Sequence, residues 1–456
     1  MKEVNDFFSA LSGFMWGWPM MIMLLGTHIF LTVRLRFPQR KLWTAIKLSV
    51  KKDSDSSGDV SQFGALATAL AATIGTGNII GVATAVALGG PGAVLWCWLT
   101  GFFGISTKYG EGLLAIKYRI RRKDGKIYGG PMYALERGLG WRKLAILFAV
   151  FTAIAAFGIG NTVQANAIST LVSQTYGVSP VVSGVVVCAL AAAVILGGIK
   201  SIAKVCSMLV PFMALLYVLG CITILIINSD YIVPAVATIF KSAFAAKSAG
   251  GGFVGSSIMV AARYGIARGL FSNESGMGSA PIVASAAQTK NPVRQALVSS
   301  TGTFWDTVVI CALTGLVIVS SIIAYPDISC DNGATLTQVS FGKIPYIGAP
   351  LLTFGLITFA FSTILGWELY GERAIGYLCG RKLRLSYRIL FIAAIFWGSV
   401  VNLDLVWNIA DVTNACMAIP NLLSLIFLSG VIVHETRKYL WHGHLNDKME
   451  GENLEE

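Results

Sequence analysis

Charge is what this sequence has least of. Asp, Glu, Lys and Arg make up 13 % of its 456 residues, about half the roughly 25 % of an ordinary soluble protein. A soluble fold of this length cannot cover its surface with so little charge, so a soluble globular enzyme is excluded. With 55 % hydrophobic residues, so is a disordered chain. Histidine is scarce too: His28, His434, His442 and His444 have no metal-ligand or catalytic spacing, and three of them lie near the end of the chain. No Gly-x-x-x-x-Gly-Lys-Ser/Thr loop occurs, which argues against ATP-driven work by this chain. No nucleophile stands with a base or a metal set at one depth, so an intramembrane enzyme finds no support. The eight cysteines show neither metal spacing nor the pattern of a disulfide scaffold. Cys97, Cys188, Cys206, Cys221, Cys311, Cys379 and Cys416 sit in or beside apolar runs as small packing residues, and only Cys330 lies in a polar loop.

What the chain does have is apolar length. Hydropathy marks eleven segments, 14–33, 64–88, 91–116, 144–173, 180–198, 205–227, 257–287, 296–323, 347–371, 387–401 and 404–433. They predict an all-α polytopic membrane protein with about 11 transmembrane helices, its apolar faces against the lipid bilayer. The first run follows Glu3 and Asp6 and is closed at once by Arg34, Arg36, Arg40 and Lys41. That is a stop-transfer pattern, so it reads as a retained span and not as a cleaved signal.

The net charge of +12 would suggest nucleic acid in a soluble protein. Here the bases lie between apolar runs, so topology explains them and no nucleic-acid partner is expected. With the N-terminus outside, 29 of the 35 Lys and Arg fall in inner segments: 34–52, 108–143, 200–204, 290–294, 373–388 and the tail. The exceptions are Lys2, Lys241, Lys247, Arg263, Arg268 and Lys343. The positive-inside rule therefore predicts a multi-pass protein of the cell (inner) membrane with a cytoplasmic C-terminus. In the longest outer connection, about 228–256, the amphipathic stretch 233–247 reads as an interfacial helix, followed by a flexible Ser-Ala-Gly-Gly-Gly linker. The polar tail, 434–456, is expected to be loosely ordered. There is no separate soluble domain.

Two spans are interrupted. The second carries Ala-Ala-Thr-Ile-Gly-Thr-Gly-Asn-Ile-Ile-Gly-Val-Ala-Thr over 71–84, and the seventh carries Gly-Leu-Phe-Ser-Asn-Glu-Ser-Gly-Met-Gly-Ser-Ala-Pro over 269–281. Each glycine costs a helix interior roughly 1 kcal/mol, and an unmet backbone group in lipid costs several. Close packing through small residues would suit either segment alone. Two in matching positions, each with an asparagine at the break, point to a binding site: one half-helix offers N–H groups and a partial positive charge, the other free carbonyls. The breaks lie five spans apart, an odd offset, so their helices run in opposite directions, as an inverted repeat requires. In the ninth span the adjacent Ser362 and Thr363 offer two hydroxyls. Such a pair commonly bonds back to its own helix, yet hydroxyls with carbonyls also suit a weakly held Na⁺.

These segments closely resemble the alanine or glycine:cation symporter family, the sodium:alanine symporters. The resemblance rests on Gly75-Thr76-Gly77-Asn78 with residues 81–85, on 269–281, and on Ser362-Thr363 with Gly366-Trp367 and Gly371-Glu372; it extends over essentially the whole chain. It implies the leucine-transporter-type fold, a 5+5 inverted repeat preceded by one extra N-terminal helix, with repeats at 64–227 and 257–433 in a single transport domain. It implies Na⁺-coupled, or in some members H⁺-coupled, uptake of a small neutral amino acid such as alanine or glycine, with Na⁺ as the co-transported ion. No organic cofactor and no obligate protein partner are implied. Carried over by position, one Na⁺ would be held by carbonyls of Ala71, Ile74 and Phe359 and hydroxyls of Ser362 and Thr363. A second ion would lie by the Thr73 carbonyl and the Asn78 side chain. The substrate carboxylate would meet N–H groups around Thr76, Gly77 and Asn78, and its ammonium would meet groups near Phe271, Ser272 and Asn273. Gln164 could reach the substrate, and Trp367 could wall the pocket. Alternatives are a larger cargo such as glutamine, or a channel or sensor without coupled flux.

Acids within spans are costly and functional by default. Glu274, in the second break, is expected to neutralise a helix end or bond to backbone N–H groups. Glu111 and Glu372 are expected to pair with loop bases. Asp306, Glu368, Asp404 and Asp411 complete the set. Arg263 and Arg268, on the outer half of the seventh span, could form an outer ion-pair gate or snorkel at the rim.

Overall fold

The computed structural model describes residues 2–449 apart from 52, 54–55, 123–124, 246–257, 329–332, 381 and 402–403. Every hydropathy segment contains helix. Among the described residues, six helices are long and apolar enough to cross a membrane alone: Glu3–Arg34, Arg142–Tyr176, Gly198–Ile227, Pro292–Ala324, Gly348–Cys379 and Val406–Phe427. The bent pair Gln62–Thr73 and Gly77–Gly89 makes a seventh. The other expected spans fall short for visible reasons. Pro180–Ile195 and Arg384–Val400 are short, Ala93–Lys117 carries Lys108 and Glu111 in mid-length, and Ile258–Asn273 ends at a break. Among the described residues, the departures from all-α structure are a two-stranded antiparallel ribbon, Ile120–Arg121 with Ile127–Tyr128, and an isolated bridge between Val60 and Ala287.

Local signals set several helix ends. Ser61 caps Gln62–Thr73 by accepting from the Gly64 N–H at 3.0 Å. Asn291 caps Pro292–Thr303 by accepting from the Arg294 N–H at 3.1 Å, with proline in the first turn. The chain start differs from expectation: helix begins at Lys2, not near residue 14, and runs almost unbroken to Arg34. The amphipathic stretch is helix over Ser229–Phe244; the glycine linker and Cys330 lie outside the described residues. As far as residue 449 the tail is not loose. Helix continues through Ser429–Thr436 and Arg437–Trp441, Tyr439 is buried, and Lys117 pairs with Glu435 at 2.7 Å.

The helices around the breaks pack tightly. Ala93–Lys117 lies against Pro292–Thr303 and Ile258–Asn273, and Gly348–Cys379 lies against Gln62–Thr73. At Gly366 a Cβ would sit 2.7 Å from the Ala72 Cβ, so glycine there permits the contact.

All six base-bearing segments gather at one end of the bundle. Arg36 lies over the Trp441 ring, Arg119 donates to Ser57 and Ala287 carbonyls, Arg373 faces Asp59, Arg294 pairs with Asp53, and Arg388 donates to the Leu196 carbonyl, beside residues 200–204. At this end Glu372 pairs with Arg388 at 2.9 Å.

Candidate functional site

The first broken helix ends at Thr73. Ile74 is extended (φ −74°, ψ 98°), and after Gly75 and Thr76 the chain re-enters through a π-helical turn, Gly77–Gly81, bent 52° from the first half. Asn78 organises the break. Its Oδ1 accepts from the Gly75 N–H at 2.9 Å, while its Nδ2 donates to the Asp306 carboxylate at 2.8 Å and the Asp306 carbonyl at 3.2 Å. The carbonyls of the last helical turn have no partner within the helix, and two hydroxyls meet one of them. Ser362 Oγ donates toward the carbonyls of Ala71 (3.1 Å) and Phe359 (2.9 Å), and Thr363 Oγ1 toward the same two (3.2 and 3.0 Å). Four oxygens thus converge on one buried point beside the break. A Cβ on Gly75 would approach Thr363 Oγ1 to 2.9 Å, which keeps that position glycine.

The second break unwinds Glu274 to Ser279 between Ile258–Asn273 and Ala280–Ala284. Glu274, Gly276 and Gly278 take positive φ (52°, 89° and 83°), which the two glycines adopt without strain. Asn273 Oδ1 accepts from the Ser275 N–H at 2.9 Å, so this side chain closes the helix end. Ser272 Oγ donates to Asp306 at 3.0 Å. Asp306, fully buried, therefore joins Asn78 of one break to Ser272 of the other and also accepts from Thr307 at 2.7 Å. The breaks nearly touch: a Cβ on Gly77 would lie 3.6 Å from the Phe271 ring and 3.7 Å from Ser272 Cα.

Glu111 corrects an expectation. It does not pair with a loop base. Its Oε1 accepts from the N–H groups of Gly276 and Gly278 (both 3.0 Å) and from Asn421 Nδ2 (2.7 Å). Lys108, one turn earlier, donates to the Glu274 carbonyl at 3.2 Å and lies 3.9 Å from Glu111. The role assigned to Glu274, holding backbone N–H groups, belongs to Glu111; Glu274 instead accepts from Ser279 Oγ. Neither Glu111 nor Asp306 stands next to a break in sequence, and their spacing carries no signal. The only hint was an acid in an apolar span.

The remaining expected residues are dispersed. Thr76 lines a cavity of about 320 Å³ with Ile80, Asn166, Thr337 and Trp407. Thr73 lines a cavity of about 20 Å³ toward the base-rich end, with Lys108, Glu111, Asn273 and Gln295. Gln164 donates to the Ile159 carbonyl at 3.0 Å, in the π-helical turn Gly158–Thr162. Trp367 is buried against that same turn, where a Cβ on Gly160 would overlap it, and meets Tyr370 edge-on. Arg263 and Arg268 line a cavity of about 280 Å³ with Asp411, Trp16, Trp407 and Phe271.

Two broken helices thus face one another across a buried acid, with a hydroxyl pair beside one of them. Over residues 1–452 the sequence matches the profile described as the sodium:alanine symporter family. The chain belongs to the sodium:alanine symporter family. It is 52 % identical over 439 residues to the sodium/alanine symporter AgcS of Methanococcus maripaludis, covering 94 % of this chain and 96 % of that one. It is 35 % identical over 432 residues to a Bacillus subtilis protein described as a probable sodium/glutamine symporter, GlnT, covering 93 % and 88 %. Among solved structures the fold is similar to MhsT in complex with L-phenylalanine (TM-score 0.56, 12 % identity, 83 % of this chain and 98 % of that one). This sodium:alanine symporter family member thus has the leucine-transporter-type fold.

Proposed function

We propose that this chain couples Na⁺ entry to uptake of a small neutral amino acid such as alanine or glycine, by alternating access around the two broken helices. The observation that carries the reading is the convergence of Ala71, Phe359, Ser362 and Thr363 oxygens beside the first break. Hard cations take oxygen ligands, and two hydroxyls sharing two carbonyls can turn their lone pairs to an ion. Ile74 adds a carbonyl freed by the break. The cargo lies between the breaks. Its carboxylate meets N–H groups at Thr76, Gly77 and Asn78, its ammonium meets carbonyls at Phe271 to Asn273, and Gln164 and Trp367 back the pocket. A second cation, Na⁺ or a proton, sits at Asp306 with Asn78 and Ser272; this anionic cluster suits a cation better than the Thr73 carbonyl.

In this reading the eleven helical segments all span the inner membrane as a 5+5 inverted repeat, 64–227 and 257–433, behind one extra helix. The base-rich end is cytoplasmic and the N-terminus is outside. Reconstituted protein is expected to accumulate labelled alanine above equilibrium only under an inward Na⁺ gradient. Uptake that never exceeds equilibrium overturns symport. Glutamine as cargo is the second reading, favoured by the relative GlnT. Thermal shifts across the twenty amino acids in Na⁺ and in K⁺ separate the two, because the true cargo stabilises by mass action only with its ion.

Gly77→Val is expected to weaken alanine binding about 100-fold or more in calorimetric titration, since branched methyls would fill the gap to the Phe271 ring. Retained tight binding would remove the carboxylate from this position.

A further inference from the structure

The base-rich end is shut by contacts between the approaches to the two broken helices. Ahead of the first, Asp59 and Val60 donate N–H groups to the Ala286 carbonyl (2.8 and 3.2 Å), and the Val60 carbonyl accepts from the Gln288 N–H at 2.8 Å. Gln62 donates to Thr289 Oγ1 at 2.9 Å. Residues 285–291 directly follow the second half of the second broken helix. Behind these contacts lies the cavity of about 20 Å³ beside Thr73 and Asn273, room for about one water. A path from the site to this end has to part them.

The end of the chain grips the same strap. Asn291 caps the next helix with Oδ1 and donates from Nδ2 to the carbonyls of Leu445 (3.0 Å) and Asp447 (2.9 Å). The Met449 N–H donates to the Lys290 carbonyl at 2.8 Å. Arg294, fully buried, takes Asp53 through two nitrogens at 2.9 Å each and gives its third to Asn446 Oδ1 at 2.9 Å. The preceding helical stretch is fixed elsewhere, through Lys117 to Glu435, Tyr109 to Thr436 and Arg36 over Trp441. Between anchor and grip stands Gly443 with φ 85°, a position that favours glycine. The anchor thus sits on the helix Ala93–Lys117, the tip sits on the gate, and a permissive joint lies between.

We propose that residues 444–449 are an autoinhibitory latch, which holds the gate at the base-rich end closed by tying Lys290, Asn291 and Arg294, just past the second broken helix, to the anchored stretch 435–441. This rests on the alternating-access reading, in which that gate must open to release cargo. Release of the latch raises the population open at this end, and Na⁺-bound cargo works against an added restraint until it lets go.

The test uses the full-length protein and hydrogen exchange. Asn291→Ser keeps a cap oxygen but removes the amide donor; with Asn446→Ala it unties the tip while leaving Asp53 and Arg294 in place. In K⁺ without cargo, the double variant is expected to exchange about tenfold faster at Val60 and Gln288, the size of a modest population shift, and faster at Met449. Its melting temperature should still rise with Na⁺ and alanine, which shows it is folded. Freed Met449 with unchanged Val60 and Gln288 overturns the proposal. So does a tip that stays protected, since these contacts then do not hold it. Exchange needs no flux: faster exchange in a chain lacking Na⁺-driven uptake removes symport and leaves the latch, and unchanged exchange in an active symporter does the reverse.

Discussion

Asp306→Ala is expected to abolish Na⁺-driven alanine accumulation in proteoliposomes, with protein still recovered as a folded species. The carboxylate accepts from Asn78, Ser272 and Thr307, and all four residues are buried. Its removal takes the charged acceptor from all three, leaving Asn78 the main-chain carbonyl of residue 306 and the Cys311 sulfur, and Ser272 that sulfur alone, at about 1–3 kcal/mol for each unmet group. Among the described residues this acid alone bonds to both breaks, so in the proposed reading the pocket loosens along with the cation cluster. Asp306→Asn tests charge separately. The amide still accepts one hydrogen bond, so structure should recover while coupling does not. Wild-type uptake in Asp306→Ala would remove this residue from the site.

Ser362→Ala with Thr363→Ala is expected to raise the Na⁺ concentration for half-maximal uptake by about 30-fold, reckoning each lost hydroxyl at about 1 kcal/mol. Both side chains are buried, and alanine at both positions leaves the Ala71 carbonyl, near the end of its half-helix, without its two hydroxyl partners, while the Phe359 carbonyl keeps its place in the helix Gly348–Cys379. The conservative control is Thr363→Ser, which keeps the oxygen and should stay near wild type. Titrating Na⁺ in uptake or in thermal shift reads the change; an unaltered Na⁺ dependence would falsify the assignment of this ion site.

The helices and breaks were legible because each is written locally. Apolar length marks a helix in lipid, and glycines among polar residues in mid-span mark where one unwinds. The residues that hold the breaks open were not legible. Glu111 lies 165 positions from Gly276, and Asp306 lies 228 from Asn78; no period or motif joins such pairs, and packing of Ala93–Lys117 and of the long helix Pro292–Ala324 around the breaks brings them in. The same limit explains the tail. Its sequence is polar and reads as solvated, yet Asn446 meets a buried arginine that reached this end on another helix. Gln164 and Trp367 illustrate a different gap: the family resemblance offers one as a substrate contact and the other as a pocket wall, but the turn Gly158–Thr162 decides what they rest on.

The Glu111 carboxylate has one more consequence. By occupying the Gly276 and Gly278 N–H groups, the Glu111 side chain fills the place at the second break where an anionic group of a ligand would otherwise dock. In the proposed reading the cargo carboxylate is therefore left the first break, which sets one head-to-tail direction for a zwitterion.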